Sequence, residues 1–142
     1  MTVPDDVGAY NRELIRKFRE SRGAAMGDRP LLLLTTVGAR SGQARTSPMM
    51  YIPDGDRLLV VPSNAGAPRH PAWYHNLVAN PRVTVEVGSE TYEADAVVAE
   101  GEERDALFAR IAEQYPFFTD HQAKTTRVIP VVALVRSSDS PG

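Results

Sequence analysis

Three short stretches of the chain concentrate side chains able to do chemistry. The first is Gly38-Ala39-Arg40-Ser41-Gly42, with Arg45 shortly after, which gathers guanidinium groups, a hydroxyl and two glycines. Arginine offers planar, paired donors to a phosphate or carboxylate, and consecutive amides in a glycine turn form a concave anion nest. The same composition also makes a polar hairpin turn whose arginines only solvate it, and the loop taken alone favours that reading. The second stretch is "VVPSNAGAPRHPAWYHNL", where the small residues Ser63, Asn64, Ala65, Gly66 and Ala67 lead to Trp73, Tyr74, His75 and Asn76. A planar aromatic ligand could approach the backbone over the small residues and meet the indole ring, although a lone tryptophan is equally suited to anchoring a core. The third is "QYPFFTDHQAKTTRVIP", in which Tyr115, Phe118 and His121 recur at intervals of three and could rim a pocket or cap the hydrophobic interior.

Several other chemistries are excluded. The chain has no cysteine, so it lacks thiolate nucleophiles and disulfides, and redox chemistry must be carried by something the protein binds. Gly38 and Gly42 are one residue too close for a P-loop, and Gln43 stands where its lysine belongs. No Gly-x-Ser-x-Gly elbow occurs. His70 and His75 are five positions apart, the wrong spacing for a zinc pair on one helix face, and no metal site is expected.

The elements that must hold these stretches can be read from periodicity. Residues 6–22 form an amphipathic helix, with Val7, Tyr10, Leu14, Ile15 and Phe18 on one face and a basic remainder. Apolar runs at 31–36, 45–52, 57–62, 83–87, 91–99 and 128–135 read as six strands. Short Gly- and Asp-bearing connections suggest consecutive antiparallel pairing, a meander. Pro48, Pro62 and Pro130 belong at edges or strand ends, because each lacks a ladder donor. Two further helices fit "HPAWYHNLVANP" and "GEERDALFARIAEQY", while 115–127 reads as irregular. Six bent strands with peripheral helices are expected to close into a small barrel, a mainly β, α+β fold of one domain over 1–142. The tail at 137–142 is expected to be disordered.

Hydrophobic residues make up 42% and charged residues 24%, with a net charge of −2, which suits a soluble cytoplasmic protein and gives no reason to expect nucleic-acid binding. Residues 1–45 carry eight Arg/Lys against five Asp/Glu. That excess could serve an anionic ligand or let the segment 1–24 touch an anionic membrane or act as a lid.

The three stretches, as "LLLLTTVGARSGQARTSPMMY", "SNAGAPRHPAWYHNLVANPRV" and "YPFFTDHQAKTTRVIPVVAL", occur in the order seen in the deazaflavin (coenzyme F420)-dependent nitroreductase and quinone reductase family, which the chain resembles from Leu31 to Val135. The resemblance implies a split β-barrel of the FMN-binding type and a reductase passing hydride from the reduced deazaflavin to a quinone, enone, activated lactone or nitro compound. It implies that Arg40, Ser41, Gly42 and Arg45 hold the coenzyme's phosphate and acidic tail, and that Thr46, Ser47, Pro48, Met49 and Met50 line its ring. Val61, Pro62, Ser63, Asn64, Ala72, Trp73, Tyr74, His75 and Asn76 would complete the cofactor site. Ser63, Tyr115 and His121 would serve catalysis, and Phe18, Trp73, Tyr115 and Phe118 would border the acceptor. The nitroreductase-type members carry three tyrosines along the third stretch, whereas this chain keeps Tyr115 and has Phe118 and His121 instead. Phenylalanine cannot donate a proton; imidazole titrates nearer neutrality than a phenol, whose pKa is about 10. Asn64 stands where a lysine is frequent, removing one cationic contact. An FMN-dependent oxidoreductase on the same barrel, a non-catalytic binder of deazaflavin or fatty acid, and a homodimer are the alternatives this reading leaves open.

Overall fold

The computed structural model describes residues 3–21, 31–63, 66–88 and 90–137, the first helix by its backbone alone up to residue 11. Asn64 and the tail 138–142 lie outside the described residues. The elements in chain order are α1 (Val3–Ser21), β1 (Leu31–Val37), β2 (Ala44–Met50), β3 (Ile52–Asp54), β4 (Arg57–Val60), α2 (Ala72–Ala79), β5 (Arg82–Val87), β6 (Glu90–Val98), α3 (Gly101–Gln114), α4 (Phe117–Ala123) and β7 (Val132–Arg136).

All strand pairs are antiparallel, in the order β2-β1-β5-β6-β7-β4-β3. The expected hairpins β1–β2, β3–β4 and β5–β6 form. The expected meander does not: β5 joins β1 instead of β4, and β7 enters between β6 and β4. Local turn chemistry specifies hairpins, but the pairing of strands distant in sequence follows from burial on both sheet faces. The 45–52 run also divides at Tyr51, giving seven strands instead of six. Because Tyr51 alone connects β2 to β3, the two outermost strands, the sheet must curl until its edges meet. The result is a split β-barrel with, among the described residues, four helices packed against it.

Side-chain alternation assigns residues to the inside and outside of the curl. Leu32, Leu34, Val60, Val83, Val85, Ala94, Val132 and Leu134 fill the interior together with Leu77 of α2. On the outer face Ile52, Leu59 and Ala133 pack under Leu107, Phe108 and Ile111 of α3 and Phe118 of α4. Leu33, the remaining buried leucine of β1, is covered by Phe18 of α1. The run "LLLL" is continuous because β1 is buried on both faces. Pro48 sits on β2, an outer strand paired only with β1, the kind of strand that tolerates a residue lacking an N–H. Residues 117–123, expected to be irregular, form α4, whose short length and single buried residue, Phe118, leave no helical periodicity to read.

Candidate functional site

A groove of about 900 Å³ runs between the β1–β2 loop and α2, lined by Gly38, Ala39, Arg40, Ser41, Arg45, Thr46, Ser47, Ala72, Trp73, His75 and Asn76. Residues 38–47 and 72–76, from separate stretches of the sequence, therefore form its opposite walls. Antiparallel register sets the β2 wall: Arg45 lies opposite Thr36, Ser47 opposite Leu34 and Met49 opposite Leu32, so these three alternate onto one face. Arg40 and Arg45 are exposed and have no ion-pair or hydrogen-bond partner among the described residues.

Asn76 fixes the two walls together. Its Oδ1 accepts the Ala39 N–H at 3.0 Å, and its Nδ2 donates to Thr36 Oγ1 at 3.2 Å. It is only 9% exposed, so these bonds satisfy an amide that α2 would otherwise bury unpaired. Gly38 N–H donates to Gln43 O and Gly42 N–H to Gly38 O, while Gln43 N–H donates to Ser41 Oγ. Much of the expected amide nest is thus engaged in holding the turn. A Cβ at Gly38 would lie 2.5 Å from Ser41 Oγ, so a side chain there would turn the Ser41 hydroxyl away from the Gln43 N–H. Trp73 has both roles considered for it: it packs on the barrel interior and walls the groove.

Other expected site residues lie elsewhere. Gly42, with φ +71°, is at the exposed loop tip. Met49 packs against the interior and Met50 against the outer core, so Pro48, Met49 and Met50 continue β2 beyond the groove lining. Tyr74 lines a separate pocket with Val98, Glu100 and Val128, where burial raises its phenol above the ordinary value. Phe18 lies under α1 against Leu33, 3% exposed and apart from the groove lining. Phe118, 5% exposed, belongs to the outer core, with Tyr115 packed beside it.

Val61, Pro62 and Ser63 form a second centre with the third stretch. Ser63 is buried, and its Oγ lies 3.1 Å from His121 Nδ1 on α4. The His121 ring meets Phe118 edge-on at 5.9 Å and Phe117 at 5.5 Å. A cleft of about 520 Å³, lined by Pro68, Arg69, His70, Ala72, His75 and Arg127, shares Ala72 and His75 with the groove. Arg127 borders that cleft and donates to Ser63 O at 2.7 Å, so the groove and the Ser63–His121 pair are linked through α2 and this arginine. Sequence reading gave no role to Arg127 or Thr36, and took Gly38 and Ala39 only as part of the amide nest. An asparagine beside Leu77 on the buried side of a short helix was the one available signal for the Asn76 clamp.

Residues 10–136 match the F420H(2)-dependent quinone reductase family. The chain belongs to that family. An F420H(2)-dependent quinone reductase of Mycobacterium tuberculosis (strain H37Rv) is 42% identical over 118 residues, spanning 78% of this chain and 76% of the relative. The solved structure of an F420-H2 dependent reductase superposes with a TM-score of 0.68 at 40% identity, covering 75% of this chain and 94% of that one. A second solved structure, a domain-swapped dimer, gives a TM-score of 0.70 at 38% identity over 87% of this chain and 95% of the other. Members of the family are oxidoreductases, and the split barrel expected from the resemblance is the fold of this one.

Proposed function

We propose that the protein is a reductase that uses reduced coenzyme F420 to reduce a conjugated acceptor, a quinone before an enone, activated lactone or nitro compound. The observation carrying this reading is the pair of guanidinium groups, Arg40 and Arg45, unpartnered among the described residues, on a groove whose far wall is Ala72 and Trp73, in a chain of this family. The donor set fits an anionic ligand with a planar ring: two cations and a hydroxyl at one side, an indole and a small residue at the other.

Reduced F420, when bound, supplies the hydride. Arg40, Arg45 and Ser41 hold its anionic portion, and Thr46, Ser47, Ala72 and Trp73 orient the ring and keep water from it. An acceptor that gains a hydride also needs a proton. His121 Nδ1 and Ser63 Oγ are within hydrogen-bond distance, so the imidazole can exchange a proton with the hydroxyl and supply it at Ser63 Oγ. Tyr115, half-buried at the start of the same segment, is the other hydroxyl available.

Anaerobic addition of menadione to the protein with reduced F420, followed at the coenzyme's visible band, should show coenzyme oxidation; no turnover across a panel of quinones and enones would sink the proposal. Equilibrium dialysis against F420 and FMN should favour F420. Arg40→Ala and Arg45→Ala should each weaken F420 binding by about 1–3 kcal/mol through loss of charge-assisted bonds, and unchanged affinity in both would return the loop to a polar turn. A homodimer is part of the same proposal, supported by the dimeric solved relative, and light scattering tests it. Contact of α1 with an anionic membrane is supported by Arg12 and Lys17, which make no ion pair among the described residues. Arg16 pairs with Glu13 and Glu20, and Arg19 with Glu86. Sedimentation with anionic liposomes tests that contact.

A further inference from the structure

We infer that Arg127 is a positioning residue for this reductase: its guanidinium ties together the backbone around Ser63 and so holds the Ser63 hydroxyl against His121. The contacts are one-sided. Nε–H donates to Ala67 O at 2.9 Å, Nη2 to Ser63 O at 2.7 Å, and Nη1 to His70 Nδ1 at 2.9 Å and Pro62 O at 3.4 Å. Every acceptor is neutral, and no carboxylate pairs with this arginine among the described residues.

The distribution of donors decides between two roles. A guanidinium has five N–H groups in a rigid fork. Four contacts to this chain's own backbone and imidazole leave little capacity for an external anion, in contrast to Arg40 and Arg45, which have no partner among the described residues. Arg127 therefore organises the protein and does not take the ligand. Because arginine only donates, His70 Nδ1 must accept, which fixes His70 as the neutral tautomer with its proton on Nε2. Arg127, His75, the Tyr74 ring at 4.5 Å and Arg69 across the cleft surround that imidazole, with no carboxylate among them.

The arginine is itself held from behind. Gln122 Nε2 donates to Arg127 O at 2.7 Å, and Gln122 Oε1 accepts from Ile129 N–H and from Arg104 Nη2, each at 2.9 Å. Arg104 on α3 also donates to Ile129 O. Opposite, Gly66 passes so close to α4 that a Cβ there would sit 2.8 Å from His121 O. The Ser63 segment is thus gripped by Arg127 on one side and by the α4 residue that bonds Ser63 on the other.

The kinetic consequence rests on the reductase reading above; the structural consequence does not. The test compares full-length wild type with Arg127→Gln, Arg127→Lys, His70→Asn and His70→Leu. It measures anaerobic turnover of reduced F420 with menadione, F420 affinity by fluorescence titration, and amide hydrogen exchange. Arg127→Gln should lower kcat at least tenfold, change the F420 Kd and menadione KM less than threefold, and speed exchange at the Ser63 and Gly66 amides at least tenfold. Arg127→Lys should fall between, since one ammonium cannot span three carbonyls. His70→Asn, whose Oδ1 can replace Nδ1, should stay near wild type in exchange, and His70→Leu should not. Unchanged exchange in Arg127→Gln, or faster exchange with kcat unchanged, would overturn the inference, as would a Kd that rises in step with the loss of kcat. Should Arg127→Gln fail to fold, Arg127→Lys and His70→Leu carry the same comparison. Absence of turnover in the wild type would remove the reductase reading alone, and the exchange data would still decide whether Arg127 holds the segment.

Discussion

Asn76 is the side chain on which the groove's shape most depends, because it satisfies the Ala39 amide and the Thr36 hydroxyl at once from a buried position. Asn76→Ala should cost about 1–3 kcal/mol, the penalty for leaving part-buried polar groups unpaired, and urea denaturation measures it. The variant should also weaken F420 binding without removing any cation, since the Arg40 loop loses its tether to α2. His70 supports a pH prediction. Burial first, then the charges of Arg127 and His75, hold its imidazole below the ordinary value of 6.5. A histidine whose folded pKa is depressed binds its proton more readily when unfolded, so stability is undiminished above about pH 6.5 and falls as pH drops below it, levelling once the folded form protonates too. The Tm of wild type should therefore decline between pH 7 and pH 5 more steeply than that of His70→Asn; parallel profiles would count against this source.

At the scale of elements, two packing contacts decide which segments move. Phe18 and Leu33 are both buried, at 3% and 0% exposure, so α1 is seated on the outside of β1. Arg19 adds a paired contact to Glu86 on β5, with bonds of 3.0 and 2.8 Å. Phe18→Ala should cost about 3–5 kcal/mol as a core truncation and lower the Tm, whereas a residue merely bordering the acceptor would alter turnover alone. Gly66 is the second contact. Its φ of +81°, and the 2.8 Å at which an added Cβ would meet His121 O, make any side chain both strained and crowded. Gly66→Ala should destabilise by about 1–3 kcal/mol and displace α4, read as a lower Tm together with a changed His121 ring resonance. The amphipathic helices α1 and α3, and the run of strands, could be read from periodicity because each buries one stripe or alternates. Helix α4 could not, because tertiary packing against Ser63 and Gly66 maintains it and its own sequence carries no such pattern.

For the molecule as a whole, the strand order predicts where the barrel opens. β1, β5, β6, β7 and β4 each have two paired neighbours, while β2 and β3 have one and meet only through Tyr51. Native-state hydrogen exchange should be slowest in β1 and β5, whose side chains reach the interior, and faster in β2 and β3; the reverse order would mean that the seam is closed by contacts beyond the paired strands. The sequence by itself determined the number and kind of most elements, the hairpins, the edge positions of the prolines and the two arginines of the loop, since these follow from local periodicity, turn chemistry and charge. Its motifs also matched a family, and with it a barrel. Only the tertiary structure decided that β5 returns to β1, that Asn76 clamps the Arg40 loop to α2, that Phe18 lies under α1 away from the groove, and that Arg127 grips the backbone of Ser63. Those are contacts between residues from 15 to 65 positions apart. They depend on which buried groups find complementary partners when the sheet curls, and no single stretch of the chain contains that information.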